Sequence, residues 1–179
     1  MTKNEIYEFW FNECTPEQWF KVDASFDRMI SERFSACHQA ASQGELFNWR
    51  NTPRGRLAEI IVLDQFSRNI FRNKPEAFLQ DGMALVLSQE MVTLGMDREL
   101  SPIEKSFAYM PYMHSESAVI HETAMNLFDG PGMEENFRFE KAHRDIILRF
   151  GRYPHRNKIL GRISTDEEEA FLKTPGSSF

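Results

Sequence analysis

Cysteine, glycine and proline are all scarce in this chain: two, nine and eight of 179 residues. Two thiols, Cys14 and Cys37, cannot build a disulfide framework and read as reduced residues of a cytoplasmic protein. No stretch approaches the roughly 20 consecutive apolar residues of a membrane span. The opening Met-Thr-Lys-Asn-Glu-Ile-Tyr-Glu carries two acids where a secretion signal has a basic and then an apolar run. A basic surplus is missing too: 21 Lys and Arg face 27 Asp and Glu, a formal charge of −6. That balance argues against nucleic acid or an anionic membrane as partner. Alternation of apolar and polar residues long enough for a strand is also lacking.

Apolar residues make up 41% of the chain, with 16 Phe, 3 Trp and 4 Tyr, ample for one core. A chain of this length buries about 70% of its unfolded surface. One domain over residues 1–173 is expected, with 174–179 as a frayed or surface-draped tail. Thr15-Pro16, Thr52-Pro53 and Ser101-Pro102 each place a hydroxyl at a helix N-cap and proline at the first helical position. Gln18 and Glu104 stand where a capping box needs them. Gly44, Gly95, Gly130 and Gly151 follow apolar-periodic runs as stop signals. The pattern predicts helices near 3–11, 16–20, 24–42, 53–72, 76–94, 102–110, 115–128, 134–150 and 166–173. The fold class is all-α, with stacked antiparallel hairpins as in an α-solenoid but no constant sequence period.

Charge is unevenly spread. From Arg138 to Arg162 eight basic residues stand against Glu140 and Asp145, and from Trp49 to Lys74 six stand against Glu59 and Asp64. Two basic segments that meet would form an anion site; the alternative is that they pair with acidic surfaces inside the fold. Within the second segment, Leu57–Arg72 is apolar nearly all round on a helical projection, so it should be central and buried. Asp64 and Arg68 fall one turn apart on an apolar stripe, as do Gln65 and Asn69. A buried charge must be paired, so Asp64 and Arg68 form either an internal clamp or an oriented, ligand-facing arginine.

Arg149-Phe-Gly-Arg-Tyr-Pro-His-Arg-Asn157, continuing to Arg162, concentrates Arg152, His155, Arg156 and Asn157 on a loop between Gly151 and the next turn. Such loops suit anion capture, although arginines also neutralise helix C-termini. His114 and His121 lie seven apart, on one face if the helix is continuous past Pro111. His143 shares an apolar stripe with Phe139, Ile146 and Phe150. No metal-ligand spacing, phosphate loop, nucleophile elbow or paired cysteine occurs, so neither metal nor cofactor is expected. Cys14 and Cys37 read as packing residues, and Trp10, Phe11, Trp19 and Phe20 as core anchors.

Three segments taken in order carry a resemblance: Leu63-Asp-Gln-Phe-Ser-Arg-Asn-Ile-Phe-Arg72, Tyr109-Met-Pro-Tyr-Met-His-Ser-Glu116, and Arg149–Asn157 with Leu160-Gly-Arg162. With Glu8-Phe-Trp-Phe11 and Ser164–Leu172, they resemble the bacterial DUF924 family over nearly the whole chain. The resemblance implies a single helical domain similar to tetratricopeptide-type stacks, with no established activity. It places Asp64, Gln65, Arg68, Asn69, His114, Ser115, Glu116, Arg152, His155, Arg156, Asn157 and Arg162 at motif positions. It also implies Gln where His121 stands and Phe where Tyr153 stands.

The candidate ligand-contacting set is these residues, Ser115 aside, together with His143. The leading reading is a binding or scaffold protein with an arginine-rich cleft for a small anionic ligand or acidic peptide. The alternative is a small hydrolase or transferase in which His114 or His155 is the base and Asp64 or Glu116 orients it. A histidine shifted from about 6.5 and within about 3 Å of a carboxylate in a pocket would favour the enzyme. A third reading makes the polar motifs purely structural. A homodimer is compatible with a bacterial helical domain, but no feature points to one.

Overall fold

Several helices begin at a threonine or serine whose hydroxyl caps them. The computed structural model describes residues 1–178. Its helices are α1 (Lys3–Glu8), α2 (Pro16–Phe20), α3 (Ala24–Ser42), α4 (Pro53–Ile61), α5 (Ser67–Ile70), α6 (Asp81–Thr93), α7 (Pro102–Met113), α8 (Ala118–Phe128), α9 (Glu134–Phe150) and α10 (Asp166–Phe171), with no strand among the described residues. Thr52 Oγ1 accepts from the Gly55 N–H at 3.2 Å. Ser101 and Glu104 cap α7 reciprocally, and Gln18 reaches back to the Thr15 N–H at 2.8 Å. Thr2 with Glu5, and Thr165 with Glu168, form two further capping boxes that the sequence reading did not single out.

The expected helix 53–72 is interrupted. Val62–Phe66 forms a wider π-helical turn between α4 and α5, and a second such turn, Phe9–Glu13, follows α1. A π turn carries one extra residue per loop, so it resets the angular phase of every side chain after it. Other boundaries also move. Residues 75–78 form a short 3-10 turn before α6. Helix α7 runs through Pro111 to Met113, and a break at residues 114–117 separates His114 from the helix that holds His121. The left-handed residue after α8 is Gly132 (φ +80°), not Gly130.

Helix α4 is central and meets α1, α6 and α7, while the π turn and α5 lie on α3. All seven α4 positions from Gly55 to Ile61 are buried. Gly55 is required by this closeness, since a Cβ there would collide with the Trp49 carbonyl oxygen. The later helices follow the consecutive pairing expected, α6 with α7, α7 with α8 and α8 with α9. The first half instead wraps α4, which departs from a solenoid whose units meet only their neighbours.

Aromatic rings fill the core around this helix. Phe9, Trp10, Phe34, Phe66 and Phe107 are all buried. Phe66 lies 4.9 Å from Phe34 and Trp10 lies 5.5 Å from Phe107 between ring centroids. Trp10 and Trp19 serve as the anchors the sequence suggests, but Phe20 is exposed. Cys14 and Cys37 are buried free thiols. In the tail, Ser177 is buried and donates to the Leu172 carbonyl; Phe179 lies outside the described residues.

Candidate functional site

Burial of the π turn places Asp64 beneath the end of α7. Its carboxylate is 1% exposed and gathers three donors. His114 Nδ1 lies 2.8 Å from Oδ1, Arg68 Nη1 3.0 Å from the same oxygen, and Gln65 Nε2 2.5 Å from Oδ2. Burial pushes the Asp64 carboxyl up, but the charge of Arg68 and the His114 contact outweigh it, and the group is held well below the usual carboxylate range. Asp64 is therefore ionised at neutral pH and His114 must donate to it through Nδ1–H.

Burial, and then the Arg68 charge, lower the His114 pKa despite the pull of Asp64. The imidazole is neutral at pH 7, and its proton sits on Nδ1. Nε2 makes no hydrogen bond to any described residue, and His114 lines a cleft of about 480 Å³. A neutral imidazole fixed by a carboxylate, on a residue that lines a cavity and with its second nitrogen unbonded, is the arrangement of an oriented general base.

Arg68 and Arg156 converge on the same carboxylate, that of Asp81. Arg68 reaches it at 3.0 and 3.2 Å and Arg156 Nη1 at 3.2 Å. Arg156 Nη2 donates to the His114 carbonyl at 3.0 Å, and its guanidinium lies between the Phe78 and Tyr153 rings. Burial, then the neighbouring Arg68, lower its pKa. Its Nε is buried without a hydrogen-bond partner. Glu116 accepts from Arg162 at 2.6 and 2.9 Å and from the Tyr153 N–H at 2.7 Å, which ties the 149–162 loop to the start of the 114–117 break. Asn157 accepts from Arg162 Nε at 3.0 Å. Burial raises the Glu116 pKa, and the Arg162 bonds more than reverse it.

The predicted residues do not all meet. His114, Glu116 and Arg156 line the cleft; Asp64, with Gln65 and Arg68, is joined to it through the His114 bond, and Arg162 with Asn157 through Glu116. Asn69 turns away: its amide donates to Asp27 at 2.8 Å, beside the Arg72–Asp27 pair. Arg152 pairs with Glu168 on another surface. The arginine that joins Arg68 is therefore Arg156 and not Arg152. His143 donates to the Phe139 carbonyl at 2.7 Å and stands edge-on to Tyr153.

Three histidines ring that tyrosine, at centroid distances of 6.3 Å (His121), 5.8 Å (His143) and 5.5 Å (His155). Burial lowers His143 to about 3 and His155 to about 4. His121 is fully buried, with Glu140 Oε1 2.6 Å from Nδ1 and the Ser115 carbonyl 2.9 Å from Nε2. Asp81 and Phe78 escaped the sequence reading. An acid in the first turn of a helix is ordinary dipole chemistry, and nothing local marks Asp81 as the bridge between two arginines 13 and 75 residues away.

Among the described residues no group of three His, Cys, Asp or Glu is placed to hold a metal ion. None of the helices described is long and apolar enough to cross a membrane.

The geometry defines a class: a single-chain helical protein with a polar-ended cleft at the close of α7. Residues 6–176 match the model of DUF924, described as bacterial protein of unknown function, and the chain belongs to that family. It is similar to the structure of a protein of unknown function, ATU0120, from Agrobacterium tumefaciens, at 36% identity and a TM-score of 0.91 over 96% of each chain. No curated protein matches.

Proposed function

We propose that the cleft is an acid–base site for a small molecule, with His114 as the base and Asp64 as its positioning residue. The observation that carries this reading is an imidazole on the cleft wall, bonded through Nδ1 to a buried carboxylate at 2.8 Å and with no hydrogen bond at Nε2 to any described residue. His114 Nε2 takes a proton from a bound water or substrate group, and Asp64 stabilises the imidazolium through Nδ1–H. Arg68 keeps Asp64 ionised and fixed.

The arginines favour this reading over an anion clamp. Arg68, Arg152, Arg156 and Arg162 are each committed to an internal carboxylate. A buried pair is not surplus charge waiting for a ligand.

Nitrogen-15 NMR of the imidazole tests the proposal directly. The expected result is a neutral His114 protonated at Nδ1 at pH 7, with Nε2 open to carbethoxylation. Protonation at Nε2, or an Nε2 resistant to the reagent in the native state, would overturn it.

A further inference from the structure

The reading of His114 as a base leaves the substrate open, and the cleft itself narrows the class. Its walls are Phe78, Leu79, Leu85, Pro111 and Leu160, and its one polar end is formed by His114 with Asp81, Glu116 and Arg156. A mostly apolar cleft with convergent polar groups at one end takes a molecule with an apolar body and a single polar head. Charge decides the head. Three carboxylates (Asp64, Asp81, Glu116) and three guanidiniums (Arg68, Arg156, Arg162) meet there, each already bonded to another.

An anionic head would face Asp81 and Glu116, and Arg68, Arg156 and Arg162 are each already paired with a carboxylate. A cationic head would face Arg156. Either adds an uncompensated charge to a charge-balanced, partly dry site, which costs binding energy. We infer that the cleft takes an uncharged molecule with an aryl or short alkyl body and one neutral polar group, such as an amide, ester or alcohol. This rests on the acid–base reading for its chemistry but not for its recognition.

Three probes share one body and differ only in the head: phenylacetamide, phenylacetate and phenethylamine. Amide NMR titration of the full chain should show saturable shifts at Gly82, Leu85 and Ser115 with phenylacetamide, and about tenfold weaker binding of the two charged congeners. Gly82 sits in the first turn of α6 on the cleft wall, and a side chain there meets no atom within 4 Å. Gly82→Phe should therefore fold normally and abolish the titration, since glycine is the poorer helix former. Acetamide, which lacks the body, should leave the spectrum unmoved.

Tighter binding of phenylacetate or of phenethylamine would overturn the inference, as would binding unaffected by Gly82→Phe or no binding of any probe at millimolar concentration. The tautomer of His114 and the probe titration, both read on the unsubstituted protein, separate the two readings. Phenylacetamide binding that persists while His114 proves to carry its proton on Nε2 would sink the acid–base proposal and leave this one standing; a correct tautomer with no probe bound would do the reverse.

Discussion

His121 and Tyr153 touch: the imidazole Nε2 lies 3.2 Å from the phenol oxygen, which itself donates to the Met113 carbonyl at 2.5 Å. These are the two positions at which the chain departs from the residues its family resemblance implies, so the departures form one contact. Tyr153→Phe should cost about 1–3 kcal/mol, because a buried carbonyl loses its donor. The double variant with His121→Gln should differ from the sum of the singles by about 0.5–3 kcal/mol. Urea denaturation of the four proteins measures this, and strict additivity would show the positions to be independent.

Asp64 holds the fold as well as His114. Asp64→Asn removes the charge that pairs with Arg68 and is expected to destabilise by about 3–5 kcal/mol. His114→Gln loses one bond to a charged acceptor and should cost less, about 1.5–3 kcal/mol. Calorimetry that reversed this order would mean Asp81 alone satisfies Arg68.

Stability should fall in mild acid. His143 and His155 are lowered by burial to about 3 and about 4, with the Arg156 charge adding to the second. Their unfolded values lie near 6.5. The unfolded chain therefore binds more protons between those limits, and stability present above pH 6.5 is lost as pH falls toward 4, by up to about 1.4 kcal/mol per unit for each group. His143→Leu should flatten the slope of unfolding free energy between pH 6.5 and 5. An unchanged slope would assign the loss to carboxylates instead.

Both thiols should be silent in the native state. Burial pushes Cys14 up to about 12 and Cys37 up to about 11, so almost no thiolate exists at pH 8. A disulfide reagent such as dithionitrobenzoate should label neither cysteine until urea is added. Rapid labelling without denaturant would show that the structure around one of the cysteines opens easily.

The capping residues and the buried central helix were legible because they depend on local chemistry. Thr52-Pro53 and Ser101-Pro102 carry their own start signal, and Leu57–Arg72 shows its burial in its composition. The Asp64–Arg68 pair was legible for the same reason, being one turn apart. Asn69 was not separable from Gln65 by projection, because a π turn at Val62–Phe66 resets the phase and no sequence rule announces it. Phe20 misled for another reason: an aromatic beside Trp19 reads as core whether or not its side of a short helix is covered.

An all-helical domain of the DUF924 family, and the segments that carry its polar residues, follow from local order along the chain, since helix propensity, capping and motif order are properties of neighbouring residues. Tertiary structure alone decided which of those residues meet. Asp81 bridges Arg68 and Arg156, Glu116 seats Arg162, and His114 rather than His155 meets the Asp64 carboxylate, because each partnership joins segments whose separation along the chain carries no information about their distance in space.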